Sequence, residues 1–437
     1  MLITLMIIVF ALGYLAIALE HPIKVDKAAS ALLIGGVCWT LFAFSGIAIE
    51  KLDYEIQHHI IHISEILFFL LGAMTIVEMV DVNGGFTIIT DKIKTTNKLK
   101  LIWIISAIAF FFSAVLDNLA TSIVMASLLN KMMKNKKDVW LFGGLVVLAA
   151  NAGGAWSPIG DVTTIMLYAK SYVSEKIILD IFLPSLVCAI VPLIYLSFKV
   201  NGDIEINEDN NSKDKIVNTK LERNIIFYTG VLGLLFVPVF KIVTGLPPYM
   251  GMLLSLGILW IISEVTYKNK TTEDKRKLSV IYALKKVDTP TIFFFLGILL
   301  AVSALQSAGQ LDIVAKYLET TFNGQSLNGV YVINIIIGLL SSIVDNVPLV
   351  AGAMQMYIDL LELPGLYQSD GVFWQFLAYC AGTGGSALII GSAAGVAIMG
   401  LENIPFFWYL KKISFYAIVG YFCGAGAYLL QNMFLGI

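Results

Sequence analysis

Charge is scarce in this chain. Only 14% of its 437 residues are Asp, Glu, Lys or Arg and 58% are hydrophobic, whereas a soluble domain carries about 25% charged residues. That excludes an ordinary soluble domain and leaves an integral membrane protein, with the lipid bilayer as its main partner. Arginine is nearly missing: Arg223 and Arg276 are the only two, both in polar stretches that read as loops. The membrane part therefore offers no guanidinium to clamp a carboxylate or phosphate. Cys38, Cys188, Cys380 and Cys423 are scattered through apolar segments without a CxxC pair, which argues against a disulfide framework or thiolate metal centre. No nucleotide-binding loop is present, so no ATP coupling is expected. No nucleic-acid partner, enzymatic catalytic set or cofactor is expected either. The first apolar stretch, Leu2–Leu19, has no basic start or small-residue cleavage site and reads as a permanent helix rather than a signal peptide.

What the sequence does hold is a polar pair placed twice in apolar surroundings. Asp117-Asn118 ends the run Ser113-Ala114-Val115-Leu116, and Asp345-Asn346 ends Ser341-Ser342-Ile343-Val344. Each pair is followed by a glycine-rich break in another apolar segment. The first break is Asn151 to Asp161 (NAGGAWSPIGD). The second is Gly382-Thr383-Gly384-Gly385-Ser386, running on to Gly391-Ser392-Ala393-Ala394-Gly395. A carboxylate at bilayer depth costs roughly 2.5–3.5 kcal/mol on insertion scales. Paired interruptions of this kind are the signature of a transporter with internal repeats and a midplane site.

The pattern predicts an all-α integral membrane protein, an inverted repeat of about 5+5 spanning helices with two re-entrant hairpins and two broken helices. Spans are placed at 2–19, 28–48, 60–80, 140–168, 177–199, 224–243, 248–266, 290–308, 373–401 and 413–434, with hairpins at 100–131 and 328–358. Hairpin arms of about 12–15 residues are too short to cross a bilayer of about 30 Å. One long tilted helix is the alternative for each hairpin; the central Asp-Asn pairs, and Pro348 after the second, favour a turn. The polar stretch 201–223 reads as a flexible linker. It divides a first repeat, 1–200, from a second, 224–437. Phe68–Gly72 and Gly84 match Phe294–Gly297 and Gly309, Asp117-Asn118 matches Asp345-Asn346, and Gly153-Gly154 matches Gly384-Gly385, at offsets drifting only from 225 to 231. Five crossings per half would invert the second half relative to the first.

Lysines set the expected orientation. Lys92, Lys94, Lys98 and Lys100 enter the first hairpin, and Lys131, Lys134, Lys136 and Lys137 leave it. Both ends of that hairpin, the linker and the basic loop 267–289 are therefore expected in the cytoplasm. The loop 359–372 holds Asp359, Glu362 and Asp370 but no Lys or Arg, and is expected outside. Both termini are expected outside as well.

Two hairpin tips, one from each face, would meet at the midplane. The candidate cation- and proton-binding residues are Asp117, Asn118, Asn151, Asp161, Thr163, Thr164, Ser341, Asp345, Asn346, Thr383 and Ser386, with Ser157 and Ser392 in the breaks. Asp117, Asn118, Asp345 and Asn346 are the expected ligands of Na+ or Li+. These are hard oxygen donors suited to a small hard cation, and the excess of carboxylates argues against an anion. For Asp117 and Asp345 the competing explanation is helix capping; for the glycines it is close helix packing. Glu78, Asp288 and Thr289 are candidates for a proton relay, although Glu78 also fits a snorkelling acid and Asp288 a helix start before Pro290. His58, His59, His62 and Glu65 cluster on one helix and read as an interfacial group rather than a metal site. Lys241 and Glu264 read as interfacial.

The segments Ser113–Ser122 (SAVLDNLATS), Asn151–Thr164 (NAGGAWSPIGDVTT), Ser341–Pro348 (SSIVDNVP) and Gly382–Gly395 (GTGGSALIIGSAAG) resemble the NhaD-type sodium/proton antiporters of the ion-transporter superfamily. The resemblance spans nearly the whole chain. It implies exchange of sodium or lithium for protons across a bacterial inner membrane, with Na+, Li+ and H+ as transported ions. It carries functional positions over to Asp117, Asn118, Asn151, Asp161, Thr163, Thr164, Asp288, Thr289, Ser341, Asn346 and Ser386, and an acidic position to Glu78. It further implies a homodimer in which a transport domain moves past a fixed scaffold like an elevator, the scaffold built from early spans such as 28–48 and 248–266. Anion transporters of the same superfamily supply the alternative, a sodium-coupled di- or tricarboxylate carrier. A channel or an inert scaffold is the rival of another class.

Overall fold

The computed structural model describes residues 2–18, 23–90, 93, 95–205, 218–343, 346–358, 361 and 365–435. Among them every regular element is a helix: α1 (Leu2–Ala18), α2 (Lys27–Ala43), α3 (Ile49–Val82), α4 (Lys98–Leu116), α5 (Asn118–Met132), α6 (Lys136–Ala155), α7 (Val162–Ala169), α8 (Ile177–Ser197), α9 (Lys220–Thr244), α10 (Pro248–Thr266), α11 (Thr289–Ser307), α12 (Gln310–Phe322), α13 (Leu327–Leu340), α14 (Asn346–Met356), α15 (Val372–Gly384), α16 (Ala393–Glu402), α17 (Phe406–Lys412) and α18 (Ser414–Leu435), with short helices at Thr87–Thr90, Thr272–Leu278 and Val280–Lys286.

The helices pack as two bodies. In the first, α1, α2 and α11 pack together, as do α3, α9 and α10, and α3 joins the groups through α11. The second comprises the hairpin α4–α5, the broken pair α6–α7, the hairpin α13–α14, the broken pair α15–α16, and α8, α17 and α18. The first body is cross-laced between halves of the chain. A Cβ on Gly72 of α3 would lie 2.7 Å from Met252 of α10, and one on Gly297 of α11 would lie 2.4 Å from the Ala31 backbone of α2. These glycines allow close helix approach, each towards a helix of the other half.

Several expectations are corrected. Among the described residues seven helices are long and apolar enough to cross a membrane, or eight if α16 and α17, bent by 116°, form one span; ten spans were expected. Six of the seven fall on expected spans and the seventh is the hairpin arm α4. Of the other four expected spans, α1 and α2 have 17 residues each, 373–401 is divided into α15 and α16, and α18 runs unbroken for 22 residues but is less apolar. The span expected at 60–80 begins at Ile49 and runs 34 residues, since no proline lies between Ala48 and Asn83. The first hairpin's entering arm, α4, has 19 residues, longer than the 12–15 expected. The stretch left unassigned between the span expected at 290–308 and the hairpin expected at 328–358 contains the amphipathic α12. Arg223 sits in the first turn of α9 and donates to Thr87 at 2.7 Å, and Arg276 is in a short helix; neither is in a loop.

The linker's described ends are anchored. Asn97 and Asp203 form an antiparallel bridge, and the Lys134 amide donates to the Glu205 carbonyl at 2.9 Å. Asn218 donates to Asn83, and Thr219 and Glu222 form a capping box that starts α9. Residues 206–217 lie outside the described residues, as do Asp345, Asp359, Glu362, Lys92 and Lys94. The loop before α15 packs on the loop after α7: the Asp370 amide donates to the Tyr172 carbonyl, and the Ser369 hydroxyl to that of Ser171.

Candidate functional site

Both breaks are built by the same local rules. In the first, the Ser113 hydroxyl donates to the Ala150 carbonyl at 2.5 Å, and a Cβ on Gly153 would fall 2.1 Å from the Phe110 carbonyl oxygen. In the second, Ser341 donates to Ala381 at 2.8 Å, and a Cβ on Gly384 would fall 2.0 Å from the Gly338 carbonyl oxygen. The helix after each break starts from an extended residue. Asp161 has φ −147 and ψ 149 and caps α7; Ser392 has φ −149 and ψ 154 and caps α16. Where the helix stops, backbone donors and acceptors turn inward and side chains must satisfy them. That need explains the polar residues at both breaks.

Asp161 is the hub of the site. Asn118, the first residue of α5, donates to its Oδ2 at 2.9 Å, and Asn346, the first residue of α14, donates to the same oxygen at 3.1 Å. The Thr163 amide donates to Oδ1 at 3.0 Å. Asn118 also donates to Asn151 Oδ1 at 3.1 Å, and Asn151 in turn donates to Ser386 at 3.0 Å and Ser392 at 2.8 Å. All these side chains are buried. Both hairpin tips thus reach one carboxylate, and the second break joins them through Asn151, so the structure brings Asn118, Asn151, Asp161, Asn346 and Ser386 together.

The other predicted residues divide. The Thr163 hydroxyl is buried without a hydrogen-bond partner. Thr164 completes the capping box with Asp161, Thr383 donates to Tyr379 of its own helix at 2.6 Å, and Ser341 holds α13 to α15. Those three hydroxyls serve backbone carbonyls rather than the cluster. Asp117 forms the turn between α4 and α5 at φ 79, and its carboxylate accepts the Ala120 amide at 2.7 Å. A non-glycine residue held at positive φ stores about 1–3 kcal/mol of strain, so the capping role expected as the alternative is real but does not explain why glycine is absent here.

Asp117 also opens onto a cavity of about 80 Å³ lined by Glu78, Asp81, Lys286 and Asp288. Here Glu78 lies 3.8 Å from the Lys286 ammonium. Asp288 caps α11 by accepting from the Thr291 amide and hydroxyl, and the exposed Thr289 donates to the Val287 carbonyl at 3.3 Å. Glu78 and Asp288 are therefore near Asp117 rather than Asp161, and Thr289 faces neither. Asp81 and Lys286 were missed. Asp81 stands three residues after Glu78, one helical turn on the same face, and that spacing was the available signal.

A second cavity, of about 170 Å³, sits farther along α3, lined by His59, Met166, Lys170 and Met354 among others. His59 is buried and its Nε2 lies 3.1 Å from the Ser307 hydroxyl, which donates to Glu55. No group of His, Cys, Asp and Glu suited to a metal ion occurs among the described residues. Glu65 pairs with Lys170, which follows α7. Lys241 is not merely interfacial: from α9 it donates to the Tyr168 carbonyl at 2.8 Å and stands 3.8 Å from the Tyr168 ring centre.

Residues 3–381 match the family described as citrate transporter, CitMHS. The chain is 45% identical over 429 residues to sodium/proton antiporter 1 of Arabidopsis thaliana, covering 97% of this chain and 72% of that protein. It is 41% identical to sodium/proton antiporter 2 of the same plant, covering 98% and 100%. It is 29% identical to the Na(+)/H(+) antiporter NhaD of Vibrio cholerae, covering 98% and 91%. Among solved structures, the YdaH transporter of Alcanivorax borkumensis, described as having an unusual topology, superposes with a TM-score of 0.57 at 11% identity, covering 94% of this chain and 99% of that one. With its helical architecture and buried polar hub, the chain is a multi-pass membrane protein that belongs to the citrate-transporter family and is related along nearly its whole length to plant sodium/proton antiporters.

Proposed function

We propose that this protein is a secondary antiporter that moves sodium or lithium out of a cell in exchange for protons. The observation that carries the reading is the Asp161 hub, where amides from both hairpin tips converge on one carboxylate. In this arrangement the asparagines present N–H groups to Asp161. A half-turn of either amide about its last side-chain bond would present oxygen instead, giving a small cation carboxylate, amide and hydroxyl donors. Proton and cation compete for the same carboxylates, and that competition couples the two fluxes. Asp117, on the α4–α5 turn, and Asp345, which precedes Asn346 in the sequence and lies outside the described residues, are assigned to the same competition.

Sidedness, assembly and motion belong to this reading too. The lysine-bearing ends of α4, α5 and α6 and the loop 267–289 are placed in the cytoplasm of a bacterial inner membrane, and the termini and residues 365–371 outside. The two halves are read as an inverted repeat. The second body is read as the moving transport domain and the first as the scaffold of a homodimer. The site is assembled wholly within the second body, so it could travel without opening its ligand shell.

The family description favours a second reading, a sodium-coupled carrier of citrate-like anions. The side chains bonded into the Asp161 cluster are asparagines and serines, and a polycarboxylate would meet repulsion from Asp161 and Asp117. The experiment is a pH-gradient dequenching assay in proteoliposomes with sodium, lithium, potassium, citrate and succinate added in turn. Proton efflux driven by sodium or lithium alone is expected. Sodium uptake only in the presence of a carboxylate substrate would overturn the antiporter in favour of the second reading.

A further inference from the structure

The cavity beneath Asp117 already contains a cation, and it is covalently attached to the protein. Lys286 ends the short helix Val280–Lys286, which Ser279 caps and which is anchored by the buried Val280 and Ala283. Its ammonium stands 3.8 Å from Glu78, with side chains 45% and 24% exposed respectively. Three more carboxylates line the same space: Asp81 one turn after Glu78 on α3, Asp117 from the hairpin tip and Asp288 from the start of α11. The Lys286 contact is loose beside the protein's other lysine–carboxylate pairs. Lys98 approaches Asp138 to 2.8 Å with side chains 21% and 13% exposed. An ammonium on a flexible four-carbon stem, held at long range and partly in water, is easily displaced.

We propose that Lys286 is a tethered counter-cation that competes with the transported cation for this acidic vestibule, and thereby sets the concentration at which transport from that side saturates. The inference rests on the cation-antiporter reading. The physical basis is simple. A cation approaching Asp117 is attracted by the carboxylates and repelled by Lys286, and it enters fully only when the ammonium swings outward. Removing that positive charge deepens the attractive field, and replacing it with a carboxylate deepens it further.

The test compares wild type with Lys286→Arg, Lys286→Gln and Lys286→Glu. Half-saturating sodium is measured for exchange in proteoliposomes and, separately, for sodium-dependent thermal stabilisation of the purified protein. Lys286→Gln is expected to lower half-saturating sodium by about three- to tenfold at low ionic strength, the scale of one unit charge acting across a partly solvated cavity. Lys286→Glu should lower it at least as far, and Lys286→Arg should stay near wild type. Added choline chloride should shrink the differences. Maximal rates should change less than the half-saturation values. Unchanged or higher half-saturating sodium in Lys286→Gln would overturn the proposal. Sodium that stabilises the wild type without driving proton movement would retire the antiporter reading alone, with the role of Lys286 still read from the stabilisation midpoint.

Discussion

The two glycine-rich breaks share a backbone and differ in chemistry. Asp161 and Ser392 occupy matching positions with nearly the same φ and ψ, and each caps the helix that follows. A Cβ on Gly153 or Gly384 would fall 2.1 or 2.0 Å from a carbonyl oxygen in matching places. Yet the first break contributes a carboxylate and the second only hydroxyls. The fold repeats because the close helix approach and the serine-to-carbonyl bonds demand it in both halves. The ligand chemistry need not repeat, because one carboxylate reached by both tips already completes a site.

The largest effect should come from breaking that asymmetry. Asp161→Asn should lower sodium-driven exchange by at least about 100-fold, corresponding to roughly 3 kcal/mol of lost charge-assisted interaction. Ser392→Ala should cost only a few-fold, since it removes a cap and one acceptor for Asn151. Initial rates in proteoliposomes, with elution profiles to verify folding, would measure both. Comparable losses in the two variants would mean that the halves share the chemistry after all.

The next effect concerns the shared backbone. Gly153→Ala and Gly384→Ala each place a Cβ inside a carbonyl contact, so something must shift in both. Each should destabilise the protein by roughly 1–3 kcal/mol or more, seen as lower yield and a lower midpoint in thermal unfolding. A normal Gly384→Ala protein beside a failed Gly153→Ala would show that the second break is looser than its geometry indicates.

Much of this architecture was legible in sequence because the membrane amplifies the signal. A polar residue such as Asn118 or Asn151 is conspicuous in apolar surroundings, and a shared offset aligned the two halves before any contact was known. The extents of helices were less legible. Residues 49–59 are polar enough to resemble a loop, but helical hydrogen bonds need no apolar residues, and α3 continues through them. The roles of hydroxyls were also hidden: Thr383 and Ser341 have the chemistry of ligands, and only packing reveals that carbonyls already occupy them. Lys286 escaped notice because it approaches Asp117 from another segment, whereas Asp81 carried a signal in its spacing from Glu78.

A comparison between the two bodies predicts a smaller effect. Glu65 of α3 pairs with Lys170 beyond α7, so this ion pair joins the first body to the second. Glu65→Gln or Lys170→Gln should change the exchange rate by about threefold, in keeping with roughly 0.6 kcal/mol for a partly exposed pair. The swap Glu65→Lys with Lys170→Glu should recover part of the change. A double variant no better than the worse single would show that the two residues act separately.

The smallest effect on exchange is expected at a pair of turns, where the halves should behave alike. Gly84 follows α3 at φ 71, and Gly309 follows α11 at φ 70. A side chain is disfavoured in this left-handed conformation because its Cβ crowds the following carbonyl, at a cost of about 1–2 kcal/mol. Part of that is offset because alanine also restricts the unfolded chain. Gly84→Ala and Gly309→Ala should therefore each lower stability by about 1 kcal/mol, with exchange per folded molecule little changed. Thermal unfolding of the two variants and the double variant would check this. The sites lie on different helices, so the two losses should add within about 0.5 kcal/mol. A large loss at one glycine and none at the other would mean that the matching dihedral angles do not reflect matching constraints, and the correspondence between the halves would then rest on the two breaks, the Asp-Asn pairs and the Phe68–Gly72 match.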